Sequence, residues 1–257
     1  MFCSLKFGIG DEGQSILAIF LLLLPAALYI MGLMEGKLGQ RLFFAGIVVH
    51  SASMIQRGMT IGAIPLTEKH DNISFMAFAL ALTTGYFSGK KGIKDLGVIT
   101  LPLAALILII ASTFDPINTI SPFLKTPWFT LHIFVYFISY GFFGVSACIG
   151  LLYLFSRQPD YEILQYHCAI IGWILLSIAL VLGSIWFFIA YGTYWLWTSR
   201  ELWTTLLWFY YGLYLHARYL RGFSGRPAAV IGVLGFVVAL FAYFGIGTII
   251  PAPPTQF

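Results

Sequence analysis

The sequence predicts an all-α, polytopic transmembrane helical bundle of about eight spans, and three observations carry that expectation. Of the 257 residues, 60% are hydrophobic and 18% aromatic. Only 9% are charged, against roughly 25% in a soluble globular domain, and the mean hydropathy is +0.90. The apolar residues form long continuous runs, close to the ~20 residues a helix needs to cross a hydrocarbon core, not the short alternating segments of an outer-membrane barrel. The same composition excludes a water-facing globular surface and a disordered chain. Three Cys cannot build a disulfide scaffold, and a scattered net charge of +4 does not suggest nucleic-acid binding.

The runs lie near residues 15–34, 41–56, 72–88, 96–113, 128–156, 163–190, 202–220 and 228–250. The first reads as a span and not a cleaved leader, because Met1 to Gln14 carries Asp11 and Glu12 and no basic stretch. The second is short for a core of about 30 Å and needs tilt or extension through Arg57. Pro25 and Pro102 fall inside the first and fourth runs, where neighbouring helices absorb a kink. Gly245–Gly247 reads as close helix packing. Cys148 and Cys168 read as small core residues, with a weak redox role open to Cys3. No internal repeat or long linker is visible, so residues 1–257 read as one integral membrane domain. No Walker loop, HExxH or GxSxG occurs to support common hydrolytic chemistry.

Lysine and arginine placement orients the chain. Lys37, Arg41, Lys90, Lys91, Lys94, Arg157, Arg218, Arg221 and Arg226 fall in one set of loops, and Lys6, Arg57, Lys69, Lys125 and Arg200 in the other. The richer set is expected in the cytoplasm, in a cytoplasmic (inner) membrane, which puts both termini and loops 57–71, 114–127 and 191–201 outside.

The most informative stretch is 183–218. Five of the seven Trp lie between Trp186 and Trp208. An interfacial aromatic belt concentrates Trp and Tyr at helix ends, but needs only a ring or two per end, not a packed run through one outer loop. A flat apolar ligand with a polar edge needs such a platform: rings to stack on, and Arg200 to meet a carboxylate.

Here the chain resembles a family. YGTYWLWTSRELW (191–203) followed by YLHAR (214–218) is similar to the WGxYWxWDPKETW…YLHxR signature of the haem-handling "WWD" proteins, most of all the CcsA/ResC (System II) branch of cytochrome c biogenesis proteins, and more distantly CcmC and CcmF. Arg57 to Thr67 loosely resembles the family's GHFPLSNLYES loop, Trp128 to His132 with Ser139-Tyr140 its W-x-x-x-H and SY pair, and Phe241 to Gly245 its last helix. Two departures stand out. The Asp of the signature is Thr198, and the family's external GLHSY segment after its last helix is replaced by Gly-Thr-Ile-Ile, so the external site lacks one His and one carboxylate.

The resemblance implies haem b as the cofactor and names its ligands. His50, about nine residues and ~13 Å deep from Arg41, and His216, a short turn from Arg218, correspond to the membrane pair of haem-iron ligands. His132 corresponds to the first external ligand. The external platform, 186–203, is expected to bind haem through Trp186, Tyr191, Tyr194, Trp195, Trp197, Arg200, Glu201 and Trp203. A partner or the substrate supplies the second external ligand, or else His70 does, which otherwise reads as a solvated loop residue. His167 reads as snorkelling to the interface. The implied function is haem delivery to the CxxCH of an apocytochrome c, where two thiols add across the vinyl groups with the protein acting by positioning, alongside a ResB/CcsB-like membrane partner within the lipid bilayer. Whether the chain is itself a haem lyase stays open. A haem-binding membrane subunit without lyase activity, and a permease for another small solute, are the alternatives.

Overall fold

In the computed structural model, residues 11–88, 95–116, 118–218, 220 and 222–245 are described. They fold into α1 (Asp11–Met31), α2 (Gly36–Ile61), α3 (Lys69–Ser88), α4 (Leu96–Ala111), α5 (Pro127–Ser156), α6 (Pro159–Tyr191), α7 (Ser199–Ala217) and α8 (Arg226–Leu240). A 3₁₀ turn at Pro122–Leu124 precedes α5, and a π turn at Phe241–Gly245 extends α8. Cys3, Lys6, Lys90, Lys91, Lys94, Arg221 and the segment from Ile246 onward lie outside the described residues.

Each apolar run has become a helix. Four of them, α2, α5, α6 and α8 with its π turn, are long and apolar enough to cross a membrane. Ile19–Met31 and Leu96–Ala111 are shorter apolar helices. The two remaining helices open on polar residues, Lys69-His70-Asp71-Asn72 in α3 and Ser199-Arg200-Glu201 in α7, which lowers their apolar content. The second run is longer than its apolar stretch suggested, because α2 continues past Arg57 to Ile61 and stops at Gly62, whose φ of 64° is a left-handed C-cap. Gly192 ends α6 the same way, with φ 71° and its N–H bonded to Phe188 O.

The chain divides into two compact units, Met1–Phe137 and Ile138–Phe257. In the first, α1 packs on α2 and α4, and α3 on α4. A methyl at Gly46 would stand 2.9 Å from the fully buried Tyr29 ring, so a small residue sets how closely α1 and α2 approach. Three buried threonines inside these helices are satisfied locally. Thr83, Thr84 and Thr100 donate to the carbonyls of Ala79, Leu80 and Leu96 at 2.8, 2.8 and 2.9 Å, as hydrocarbon requires.

In the second unit, α7 packs on α6 and α8, and α5 contributes Phe143, stacked on Tyr211 with centroids 3.7 Å apart and planes at 9°. Ser146 Oγ donates to Gln165 O at 2.9 Å, Gln165 Nε2 to Ala229 O at 3.1 Å, and Tyr140 to Ala239 O at 3.1 Å. Trp173 Nε1 donates to Trp208 O, Trp208 Nε1 to Ser177 Oγ and Ser177 Oγ to Trp173 O, which closes a ring between α6 and α7. A methyl at Gly172 would lie 2.6 Å from the Phe143 ring, which the Tyr211 stack prevents from shifting. Gly172→Ala should therefore overpack the unit by about 1–3 kcal/mol, read as a lower thermal midpoint of tryptophan fluorescence in detergent.

Candidate functional site

The first unit holds a polar network at the α2–α3 turn. The Arg57 guanidinium donates through Nε to Asp71 Oδ1 at 3.0 Å and through Nη1 to Asn118 Oδ1 at 2.6 Å, so three segments meet at one buried cation. His70 is only 5% exposed, which corrects its reading as a solvated loop residue: a carboxylate neighbour and the helix start draw it inward. Its Nδ1 donates to Asp71 Oδ1 at 3.0 Å, while Nε2 is buried without a hydrogen-bond partner. It borders a cavity of about 30 Å³ with Leu22, Ser53, Arg57 and Ser74, room for about two water molecules. Burial raises the Asp71 carboxyl, but hydrogen bonds from His70 and Arg57 and the Arg57 charge outweigh it and hold it below the usual carboxylate range. Glu68 shifts upward, through burial and the Asp71 charge, against the pull of Arg57.

His50 is fully buried, and both ring nitrogens are engaged, Nδ1 with the Tyr29 hydroxyl and Nε2 with Ser74 Oγ, each at 3.0 Å. Any new bond to either nitrogen of His50 would therefore cost one of these two contacts. His132 is half-buried in the second turn of α5, with its ring 5.9 Å from that of Tyr136.

In the second unit, α6 and α7 deliver the aromatic stretch. Trp186 and Phe187 close on Tyr191 at centroid distances of 6.0 and 4.6 Å, Phe188 stacks on Tyr194 at 4.5 Å and 10°, and Trp203 meets Phe241 at 4.7 Å. Trp195 and Trp197 lie edge to face at 5.9 Å. Trp197 is 66% exposed and adopts φ 57°, a left-handed conformation unusual for a bulky residue. Arg200 is exposed. Glu201, expected to face the ligand, turns instead to the loop's own backbone: its carboxylate accepts from Thr198 N at 2.8 Å and Leu196 N at 3.2 Å. Thr198, where the family signature has Asp, is the N-cap of α7, a position that Thr fills readily.

At the other end of α7, His216 is exposed, and its Nδ1 lies 2.7 Å from Gly212 O. A carbonyl only accepts, so Nδ1 carries a proton, and in the neutral ring the lone pair falls on Nε2. Nearby, Arg218 pairs with Glu162 at 3.1 Å and lies 4.6 Å over the Tyr166 ring, so this cation is tied to α6. His167 is exposed, as a snorkelling residue would be.

The structure thus gathers Trp186, Tyr191, Tyr194, Trp195, Trp197, Arg200, Glu201 and Trp203 around the α6–α7 turn, and sets His216 at the opposite end of α7. Sequence reading missed the Arg57–Asp71 pair. An Arg and an Asp flanking one short turn were its signal, hidden because Arg57 reads as a loop cation. It also missed Tyr29 as the partner of His50, which no spacing reveals.

Such an arrangement defines a helical membrane protein that presents an aromatic platform and accessible imidazole on one polytopic scaffold. The family model of the Cytochrome C assembly protein matches residues 66–251, and the chain belongs to that family, on its CcsA-type branch. It is 24% identical to the "Cytochrome c biogenesis protein CcsA" of Prochlorococcus marinus (strain MIT 9303), over 94% of this chain and 92% of the relative. It is 25% identical to the CcsA of Guillardia theta, over 74% and 75%, and 23% identical to that of Cyanophora paradoxa, over 79% and 83%.

The buried pair makes stability pH-dependent. Because the folded Asp71 carboxyl sits below its unfolded value, its contribution is complete above about pH 4 and is lost as pH falls through the folded value. Asp71→Asn should destabilise the protein at pH 7 by roughly 3–5 kcal/mol, since it strands a buried cation. In thermal melts the variant should also lack the wild type's decline on the acid side of pH 4.

Proposed function

We propose that this chain, whose CcsA relatives support a role in cytochrome c biogenesis, handles haem b as cargo: it binds haem within the cytoplasmic membrane and presents it on the external, periplasmic side for attachment to an apocytochrome c. The observation that carries this reading is the span of α7. From Ser199 to His216 the helix rises about 26 Å at 1.5 Å per residue, close to the hydrocarbon thickness of about 30 Å. One rigid helix therefore puts an aromatic platform at one end and an iron-ready imidazole at the other.

The residues fit the macrocycle. The platform is apolar and ring-lined, as a porphyrin face needs. Arg200 is exposed and available for a propionate as a charge-assisted contact. His216 holds the tautomer that an axial ligand needs, with Nδ1–H on a carbonyl behind it. By the family resemblance, His132 would be the external ligand and His50 and His216 the membrane ligands. A ResB/CcsB-like partner, or the substrate itself, supplies the remaining external ligand. His70 is poorly suited to it, because it is buried beside a cavity too small for a porphyrin. Bound haem supplies the vinyl groups; the protein's residues bind, orient and exclude competing ligands. Each thiol S–H adds across one vinyl, forming a C–S and a C–H bond without net electron transfer.

The test is spectral. Full-length protein purified in detergent from haem-sufficient cells should carry a Soret band, with roughly tenfold or greater loss in His216→Ala and His132→Ala, since losing one axial ligand costs well over 1.4 kcal/mol. Exogenous imidazole should restore part of the band. A colourless wild type refutes the reading. Expression with and without a ResB/CcsB-like protein, scored by covalent haem on a CxxCH reporter, separates a lyase from a subunit that only holds haem.

A further inference from the structure

The platform contains one polar atom whose chemistry is unspent. Trp195 Nε1 is buried and has no hydrogen-bond partner, although the loop around it is otherwise well satisfied. Thr193 Oγ1 donates to Trp195 O at 3.3 Å, and the Leu196 and Thr198 amides donate to Glu201. A buried indole N–H left unpaired is costly, and a group of this kind ordinarily finds an acceptor. The backbone beside it is held in an uncommon state, with Trp197 at φ 57°. Of the contacts on this segment, the Glu201 carboxylate is the one that grips both sides of Trp197, at residues 196 and 198.

We infer that Trp195 donates its indole N–H to a carboxylate on the edge of the bound ligand, and that Glu201 is the positioning residue that holds the 196–198 backbone so that this donor is presented. The inference rests on the haem reading above and deepens it. Haem b carries two propionates, of which Arg200 meets one and Trp195 the other. Glu201 acts through the backbone and does not touch the ligand. Its negative charge is therefore dispensable, while an oxygen acceptor at that position is not. A Gln side chain keeps that oxygen and suits the third position of a helix as a cap partner.

The experiment titrates haemin, and separately its dimethyl ester, into the full-length apoprotein in detergent, following Soret absorbance and quenching of tryptophan fluorescence. Trp195→Phe keeps a ring and removes the donor. It should bind haemin about tenfold more weakly or worse, the range for losing one bond to a charged group, and the gap should narrow with the ester, whose acidic edge is masked. Glu201→Gln should match wild type, whereas Glu201→Ala should lose affinity and be cut faster by protease within 193–198 without any haem present. Size-exclusion profiles confirm that each variant is folded. Equal haemin affinity in Trp195→Phe, a gap that persists with the ester, or Glu201→Gln falling with Glu201→Ala overturns the inference. Failure of the wild type to bind haemin overturns the haem reading instead, and with it the ligand on which the inference depends.

Discussion

Hydrocarbon offers no hydrogen-bond partner, and this constraint organises the molecule. Helix threonines bend back onto their own carbonyls, the indoles of Trp173 and Trp208 close a ring with Ser177, and Arg57 is met by Asp71 and Asn118. Against that background, His50, His216 and Trp195 differ in what their ring nitrogens have left to offer. His50 has both nitrogens spoken for and serves as a lock between α1, α2 and α3. His216 has one nitrogen tied and the other outward. Trp195 has its donor buried and empty.

The α6–α7 turn shows how a loop of large apolar rings is kept from collapsing onto itself. A left-handed glycine ends α6, a Thr cap opens α7, and a carboxylate one turn into α7 gathers the intervening amides. Ring pairs then form at set angles, from the parallel Phe188–Tyr194 stack to the edge-on Trp195–Trp197 contact. The substitution of the signature's Asp by Thr198 loses a charge there but keeps a residue type suited to a helix N-cap.

Much of this was legible beforehand, and for a physical reason. Spans are written as long apolar runs, so the helices appear near their expected places, and the density of rings at 186–203 marks the platform. What the sequence hid were partnerships across helices. Arg57 reads as a loop charge until α2 is seen to continue past it. His70 beside Glu68, Lys69 and Asp71 reads as solvated, yet folds inward because a single carboxylate can take both an imidazole and a guanidinium. Glu201 reads as a ligand contact through the family resemblance, whereas its distance of three residues from Thr198 is also the spacing of a cap.

α6 has a further consequence. Its 33 residues make a rod of about 50 Å, and even at a steep 40° slant it would rise about 38 Å, more than the roughly 30 Å oily slab it crosses. Some of the rod must stand proud of the acyl chains. Its tips are Asp160 with Glu162 at one end and Phe188 with Tyr191 at the other, an acidic end suited to water and a ring-bearing end suited to the headgroup level.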